Sequence, residues 1–331
     1  MVLPDPQPGH RILLCMDRTA SCESGVPHAV SLARTLDSSI TLVHVLHPHR
    51  AHGPQPHDAL GWEISRQEAQ SYLSRLATEI ESELGQPVDA RLEQGVPSLR
   101  IVELARELGA EVTVLGGRAE DPDRAFGGTA EQVLALARNS VLIARTSADG
   151  CAPAAMQRVL VPLDGSRRAE AVLPVAARLA RAHNAELLLV HIVQEPRPTA
   201  LMELAGAMDL ALRLAACLQD GARRYLMQLQ QRLLREGTAT RTLVLRHPNE
   251  RQGLLQVTQW GKADLVVLSA HGATCDADRS FGSFIAHLLR SSTVPMLVLQ
   301  DLPEREGLSA DPPESGATTR WSRAAQAVDL A

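Results

Sequence analysis

The chain has 331 residues, with 33 Lys and Arg against 38 Asp and Glu, so its formal net charge is −5. A content of 45% hydrophobic and 21% charged residues is typical of a globular protein rather than a disordered one. The acidic balance and the 2% aromatic content give no reason to expect nucleic acid or an anionic membrane as the main partner, because such partners attract basic patches and aromatic platforms.

Short apolar runs alternate with helical patterns along the first half of the chain. The strands predicted there cover residues 11–16, 40–46, 88–92, 112–115 and 141–144. They are rich in Val, Leu and Ile and lack polar alternation, which is typical of parallel strands covered on both faces. Ile101, Leu104, Ala105 and Leu108 recur at helical spacing and predict a helix with one apolar face. This alternation predicts a doubly wound α/β sheet.

The second half repeats the first. RILLCMDRT at 11–19 matches RVLVPLDGS at 158–166, and TLVHV at 41–45 matches LLVHI at 188–192, both at an offset of 147. DPDRAFGG at 121–128 matches DADRSFGS at 276–283 at an offset of 155. A repeat this long indicates a duplicated domain, because solenoid units have only about 20–50 residues.

These patterns predict two tandem α/β domains, each with a mostly parallel five-stranded sheet of Rossmann-like type. The predicted domain bounds are 8–147 and 157–301, with a linker at 148–156 rich in small residues. The tail at 302–331 is rich in Pro, Gly, Ser and acidic residues, and we expect it to be disordered.

Loops at the carboxyl ends of parallel strands are the places where such folds bind ligands. In the second half, Asp164 and Ser166 follow the first strand, and each is read equally well as a helix cap or as a ligand contact. The fourth strand leads into AHG-x9-GS, which contains Gly272, Gly282 and Ser283 and opens a helix. Glycines allow close backbone approach, and free amides at a helix N-terminus attract phosphate, so Gly282 and Ser283 are predicted to offer their amides to an anion.

VPLDGS, LVHI and AHG-x9-GS, in two copies of an alternating five-strand pattern, resemble the universal stress protein family over nearly all of residues 10–300. The ATP-binding members of that family share the motif G-x2-G-x9-G-(S/T). The resemblance implies ATP, or ADP or AMP, as the ligand, with Mg²⁺ as an optional companion. It implies these roles in the second half: Asp164 near the ribose, the backbone of Ile192 at adenine, and Gly272, Gly282 and Ser283 at the phosphates.

Both halves depart from the family motif. In the second half the first glycine is replaced by Ser269, and we expect strain there if φ is positive. In the first half the loop is two residues shorter. Counting back from Gly127 puts Gly117 at the second glycine and Val114 at the first, whereas alignment on the end of the strand makes Gly116 or Gly117 the first glycine and deletes the second. The remaining first-half candidates are Asp17, Val45, Gly127 and Gly128. The second half is therefore predicted to be the better nucleotide site.

Other residues give weaker signals. No nucleophile or general base is recognisable, so the enzyme question stays open, with slow ATP hydrolysis as its only candidate activity. Five widely spaced cysteines without a CxxC predict neither disulfides nor a zinc site, and their expected state is a buried or half-buried thiol. Histidines crowd the loop 47–57, but no designed metal site is predicted there. His44 and His191, which repeat in the strands, are predicted to be packed.

The blocks around Asp123 and Arg124, and around Asp278 and Arg279, read either as a solvated ion pair or as a guanidinium offered to an anion. Without a basic leader or an apolar run of about 18 residues, the chain is expected to be cytoplasmic. The resulting hypothesis is a stress-response protein that binds an adenine nucleotide in at least the second domain. It would act as a switch or interaction module, as a homodimer or with a protein partner. The alternatives are a nucleotide-free scaffold and a weak ATPase.

Overall fold

The computed structural model describes residues 10–47, 59–117, 128–145, 156–195, 208–272 and 281–300. The chain forms two compact units, Met1–Ala152 and Pro153–Ala331. The predicted bounds of the domains, linker and tail stay predictions; residues 148–155 and 302–331 lie outside the described ranges.

The first unit is a parallel sheet with helices between its strands. Its strands are β1 (Arg11–Met16), β2 (Ser39–Leu46), β3 (Asp89–Gln94), β4 (Val112–Gly117) and β5 (Ser140–Arg145). Its helices are α1 (Ala20–Glu23), α2 (Gly25–Leu36), α3 (Ala59–Leu84), α4 (Pro97–Glu107) and α5 (Gly128–Leu136). The strand order β3-β2-β1-β4-β5, with parallel pairs throughout, confirms the predicted doubly wound α/β fold.

The second unit repeats this arrangement. Its strands are β6 (Arg158–Pro162), β7 (Glu186–Gln194), β8 (Thr240–His247), β9 (Leu265–Ser269) and β10 (Met296–Leu299). Its helices are α6 (Arg167–Glu170), α7 (Leu173–Ala182), α8 (Met208–Arg235), α9 (Glu250–Trp260) and α10 (Ser283–Ser291). The order β8-β7-β6-β9-β10 is again parallel in every described pair.

Burial explains why the apolar runs became strands. Every residue of β5, β9 and β10 is buried, as expected for strands covered by helices on both faces. The helices bury one stripe each: Ile101, Leu104 and Ala105 are buried in α4, as their spacing predicted. The order of each sheet reverses beside its first strand, so the loops after β6 and β9 separate there and leave a crevice.

Candidate functional site

The loop after β6 is an ordered turn. Asp164 Oδ1 accepts a hydrogen bond from the Ser166 amide at 2.9 Å. Ser166 Oγ accepts from the Ala169 amide at 3.1 Å and so caps α6. Between them, Gly165 has a φ of +83°, a conformation that L-residues rarely adopt. Of the two interpretations of Ser166, the structure therefore shows the helix cap, while the Asp164 side chain remains exposed.

The loop after β9 meets this turn at Gly272. A Cβ built on Gly272 would lie 2.7 Å from Asp164 Oδ2, closer than real Cβ atoms approach a neighbour. A side chain at this position would force the Asp164 carboxylate to move, so glycine allows the two loops on either side of the crevice to approach closely. The structure thus brings together Asp164 and Gly272, which the sequence placed on separate loops.

Ser269 is the last residue of β9, and its φ is not positive. The strain expected for a serine in place of the first motif glycine therefore does not arise, because the position is ordinary strand. The Ser269 hydroxyl is buried and makes no hydrogen bond within the described part of the chain. A glycine at this position would differ from serine mainly by leaving the space of the serine side chain empty.

The start of α10 corrects one expectation. The Gly282 amide is not available to an anion, because it donates to the Ala270 carbonyl at 3.0 Å. Gly282 is the N-cap residue of α10, with φ −62° and ψ 153°. The amides without an intrahelical acceptor are therefore those of the first turn, residues 283–285. The side chain of Ser283 lies outside the described part of the structure, so its phosphate role stays a prediction.

A cavity of about 1060 Å³ opens beside these groups. Its walls come from the ends of β6, β7 and β9, from one face of α8, and from the starts of α9 and α10. They include Asp164, Gly165, His191, Ile192, Cys217, Gly221, Arg224, Tyr225, Glu250, Ser269, Gly272 and Gly282. The described second-half candidates thus line one cavity, apart from Ser166, which caps α6, and Ser283, whose side chain is not described.

The contribution of α8 was missed from the sequence. Cys217, Gly221, Arg224 and Tyr225 all line the cavity. Cys217 is also exposed, which contradicts the expectation of buried or half-buried thiols, whereas Cys15 and Cys22 are buried as expected. Tyr225 also lines a neighbouring cavity of about 480 Å³, together with Arg232 and Arg235.

The sequence does contain one signal that could have pointed to α8, a tyrosine that is repeated in the two units. Tyr225 Oη donates to Glu170 Oε1 at 3.0 Å, and Tyr72 Oη donates to Glu23 Oε1 at 3.1 Å in the first unit. Burial, followed by the neighbouring carboxylate, raises the pKa of both phenols well above its ordinary value. The chain has two tyrosines, and each occupies the same place in its unit.

The repeated histidines are structural. His44 Nδ1 donates to the Met16 carbonyl and His191 Nδ1 donates to the Leu163 carbonyl, each at 2.7 Å, because a carbonyl can only accept. Burial lowers the pKa of His44. The prediction of packed positions is confirmed for His44, which is buried, while His191 is half-buried at the cavity.

The first unit keeps part of the same site. Ile12 pairs with Val112 in the first unit, and its counterpart Val159 pairs with Leu265 in the second. Counting four residues along β4 and β9 from these pairs makes Gly116 the counterpart of Ser269. Gly116 rather than Gly117, which ends β4, therefore takes the place of the first glycine. Asp17 Oδ1 accepts from the Thr19 amide at 2.9 Å, as Asp164 does from Ser166. Val45 is half-buried in β2.

Several predicted residues lie in or beside the ranges that are not described. Gly128 is the exposed first residue of α5, but Gly127 lies outside the described residues. So do Asp123, Arg124, Asp278 and Arg279, and most of the histidine loop, including His49, His52 and His57. Phe281, which directly precedes Gly282, is buried, with 8% of its surface exposed.

The sequence matches the model of the Universal stress protein family twice, at residues 9–145 and 156–300. The chain belongs to the universal stress protein family. Family membership supports a role in the stress response. No match was found among the curated proteins.

Solved structures support the fold of this universal stress protein. It is similar to a universal stress protein from Archaeoglobus fulgidus, with a TM-score of 0.62 and 17% identity over 88% of this chain and 98% of the other. It is also similar to a functionally unknown protein from Pseudomonas aeruginosa, with a TM-score of 0.59 and 15% identity over 88% of this chain and 92% of the other. At these identities the likeness concerns the fold.

Two further findings concern the described residues of this universal stress protein. Within the ranges that the structure describes, no helix is both long and apolar enough to span a membrane. In the same ranges, no three His, Cys, Asp or Glu side chains gather as a metal site would require.

Proposed function

We propose that the second unit binds an adenine nucleotide, ATP in the first place, and that binding changes the surface offered to a protein partner or a second copy. The observation that carries this proposal is the cavity of about 1060 Å³ at the carboxyl ends of β6, β7 and β9. Its size is slightly above the usual range of ligand pockets, which measure about 300–1,000 Å³. The cavity is open at the place where the resemblance to ATP-binding members of the family puts the nucleotide.

The adenosine part would lie between β6 and β7. Ile192 and Val193 give this side an apolar wall near the end of β7, which suits a purine. Asp164 stands across from them with an exposed carboxylate, and a carboxylate accepts hydrogen bonds from vicinal ribose hydroxyls. The hydrogen bond from the Ser166 amide holds this carboxylate in place, so the acceptor is positioned before ligand arrives.

The phosphates would lie toward Gly272 and α10. Gly272 exposes backbone there without a side chain, and the first-turn amides of α10 present partial positive charge. Arg224 lines the same cavity and has no ion-pair partner among the described residues, so its guanidinium suits a phosphate oxygen. Glu250 also lines the cavity, and its carboxylate could hold a Mg²⁺ ion that the phosphates bind, since proteins commonly hold Mg²⁺ through one or two carboxylates and the phosphates.

The first test is to ask whether the purified protein carries nucleotide. Full-length protein is denatured and searched for ATP, ADP or AMP by mass spectrometry, and the stripped protein is titrated with ATP by calorimetry. We expect binding that Asp164→Asn weakens by about tenfold or more, because Asn keeps the acceptor for Ser166 but loses the charge. Asp17→Asn, the same change in the first unit, is the matched control and should leave this affinity unchanged.

The other outcomes decide between the alternatives. Protein that carries no nucleotide and gives no heat with ATP contradicts the proposal and supports a nucleotide-free scaffold. ATP hydrolysis that rises with protein concentration and disappears in Asp164→Asn would establish an ATPase. For the switch, partner binding or self-association is compared with and without ATP, and an identical result in both conditions rejects it.

A further inference from the structure

Two cavity-lining positions of the second unit carry no side chain. Gly165 lies in the turn after β6, and Gly221 lies on α8, facing the same cavity. A Cβ built at either glycine would meet nothing within 4 Å, so both positions border open space. Longer side chains at these positions would have room to extend across the cavity mouth.

The repeat identifies the residues that take these positions in the first unit. The turn Asp17-Arg18-Thr19 has the hydrogen bonding of Asp164-Gly165-Ser166, so Arg18 corresponds to Gly165. The bonds Tyr72–Glu23 and Tyr225–Glu170 align α3 with α8. Counting four residues back from each tyrosine makes Glu68 the counterpart of Gly221.

These two first-unit residues form an ion pair. Arg18 Nη1 lies 3.1 Å from Glu68 Oε2, which links the turn after β1 to α3. Arg18 has a φ of +66°, the left-handed conformation that its counterpart Gly165 adopts without a Cβ penalty. A strained conformation at a non-glycine residue is a reason to look for a function of its side chain.

We infer that the first unit contains a cradle equivalent to the cavity of the second, and that the Arg18–Glu68 ion pair closes it. The chain would therefore bind nucleotide in the second unit alone. That the excluded ligand is a nucleotide rests on the proposed function, whereas the closure of the first unit by the ion pair does not. We call the Arg18–Glu68 pair the latch.

Two buried cysteines report on the latch independently of any ligand. Ala169 and Pro162 line the cavity of the second unit, and their counterparts at the same offset are Cys22 and Cys15. Both thiols are buried, and burial together with Asp17 raises the pKa of Cys22 to about 12. Breaking the Arg18–Glu68 ion pair would expose the Cys22 side chain to solvent. Cys217 is already exposed and serves as an internal standard.

The first experiment measures alkylation of Cys22 by iodoacetamide, read by mass spectrometry on the full chain. In Arg18→Gly/Glu68→Ala we expect Cys22 to react about tenfold faster relative to Cys217. Arg66→Ala is the matched control, since it breaks the exposed Arg66–Glu63 pair on the same helix, and it should not change the rate. An unchanged Cys22 rate in a double variant with a wild-type melting curve overturns the inference.

A measurement on the unaltered protein covers the case in which the double variant fails to fold. Raising NaCl to about 1 M shortens the Debye length to about 3 Å and weakens an exposed pair. We expect the wild-type Cys22 rate to rise with salt, with Cys217 unaffected. A rate independent of salt, in protein that stays folded, also contradicts the latch.

The reciprocal experiment transfers the latch to the second unit. Gly165→Arg/Gly221→Glu should lower ATP affinity by about tenfold or more, since the new pair would cross the cavity mouth. Gly165→Ala/Gly221→Ala measures the separate effect of losing the two glycines, and the Arg/Glu variant should bind ATP more weakly than this control. Wild-type affinity in the Arg/Glu variant overturns the inference. If the unaltered protein binds no ATP, the proposed function fails, while the Cys22 rates still decide whether the latch exists.

Discussion

Replacing Gly272 with alanine would test how closely the loops after β6 and β9 meet. The new Cβ would lie 2.7 Å from Asp164 Oδ2, about 0.7 Å closer than the 3.4 Å at which ordinary contact begins. Gly272 does not have a positive φ, so the backbone can accept alanine and the carboxylate must move instead. Moving it weakens the Ser166 hydrogen bond, and we expect the free energy of unfolding to fall by about 1 kcal/mol.

The effect on nucleotide affinity should be larger than the effect on stability. A hydrogen bond to a charged group contributes about 1.5–3 kcal/mol, so a displaced Asp164 carboxylate would weaken ATP binding by about 10- to 150-fold. Calorimetric titration measures the affinity, and urea unfolding measures the stability.

A double-mutant cycle isolates the cause. In an Asp164→Ala background the clashing carboxylate is absent, so Gly272→Ala should lower ATP affinity by a smaller factor than it does in the otherwise wild-type protein. Gly272→Ala protein that binds ATP like wild type would refute the reasoning. So would losses from the two substitutions that multiply as if they were independent.

Three further predictions concern stability and titration. Gly165→Ala should lower the free energy of unfolding by about 1 kcal/mol because of its φ of +83°, whereas Gly221→Ala, inside α8, should raise it by up to about 1 kcal/mol; urea unfolding that shows equal effects would contradict this. Burial lowers the pKa of His44 in the folded state, so the unfolded chain binds the proton more readily, and stability should fall as the pH drops below about 6.5. Urea unfolding between neutral and acidic pH should show a smaller fall in His44→Gln, and an identical fall would reject the assignment. Because the pKa values of Tyr72 and Tyr225 are raised, the near-ultraviolet phenolate absorbance of the folded protein should appear well above the ordinary pKa of about 10, and either Tyr→Phe variant should remove half of it. A titration centred near the ordinary value would show that these phenols are not buried against Glu23 and Glu170.

Much of the fold was readable because its signals are local. The unbroken apolar runs of β1 and β6 predicted buried parallel strands, and the spacing of Ile101, Leu104 and Ala105 predicted α4. The duplication was equally visible, since it requires only comparison of the chain with itself. Helix capping at Ser166 stayed undecided, because the same residue type serves a cap and a ligand.

The candidate site was predicted in outline but not in its contacts. Asp164, Ile192 and Gly272 were named from the family motif, and they line one cavity. Arg224 and Tyr225 were not named, because they lie on a long helix whose face toward the cavity is set by packing. The prediction that the Gly282 amide is available to an anion was wrong. This amide donates to the carbonyl of Ala270, which lies twelve residues earlier in the chain.

The sequence alone determined that this protein has two α/β units of the universal stress protein family, because strand and helix periodicity and internal repetition are written in consecutive residues. Only the tertiary structure decided that Gly116 corresponds to Ser269, that Gly272 lies close to the Asp164 carboxylate and that Arg18 pairs with Glu68. The physical reason is that these are contacts and registers between segments far apart along the chain. The distances between these segments are set by how the strands align and how the helices pack. At Gly272 and at Arg18, the absence or presence of a side chain also decides what the neighbouring segment can contact.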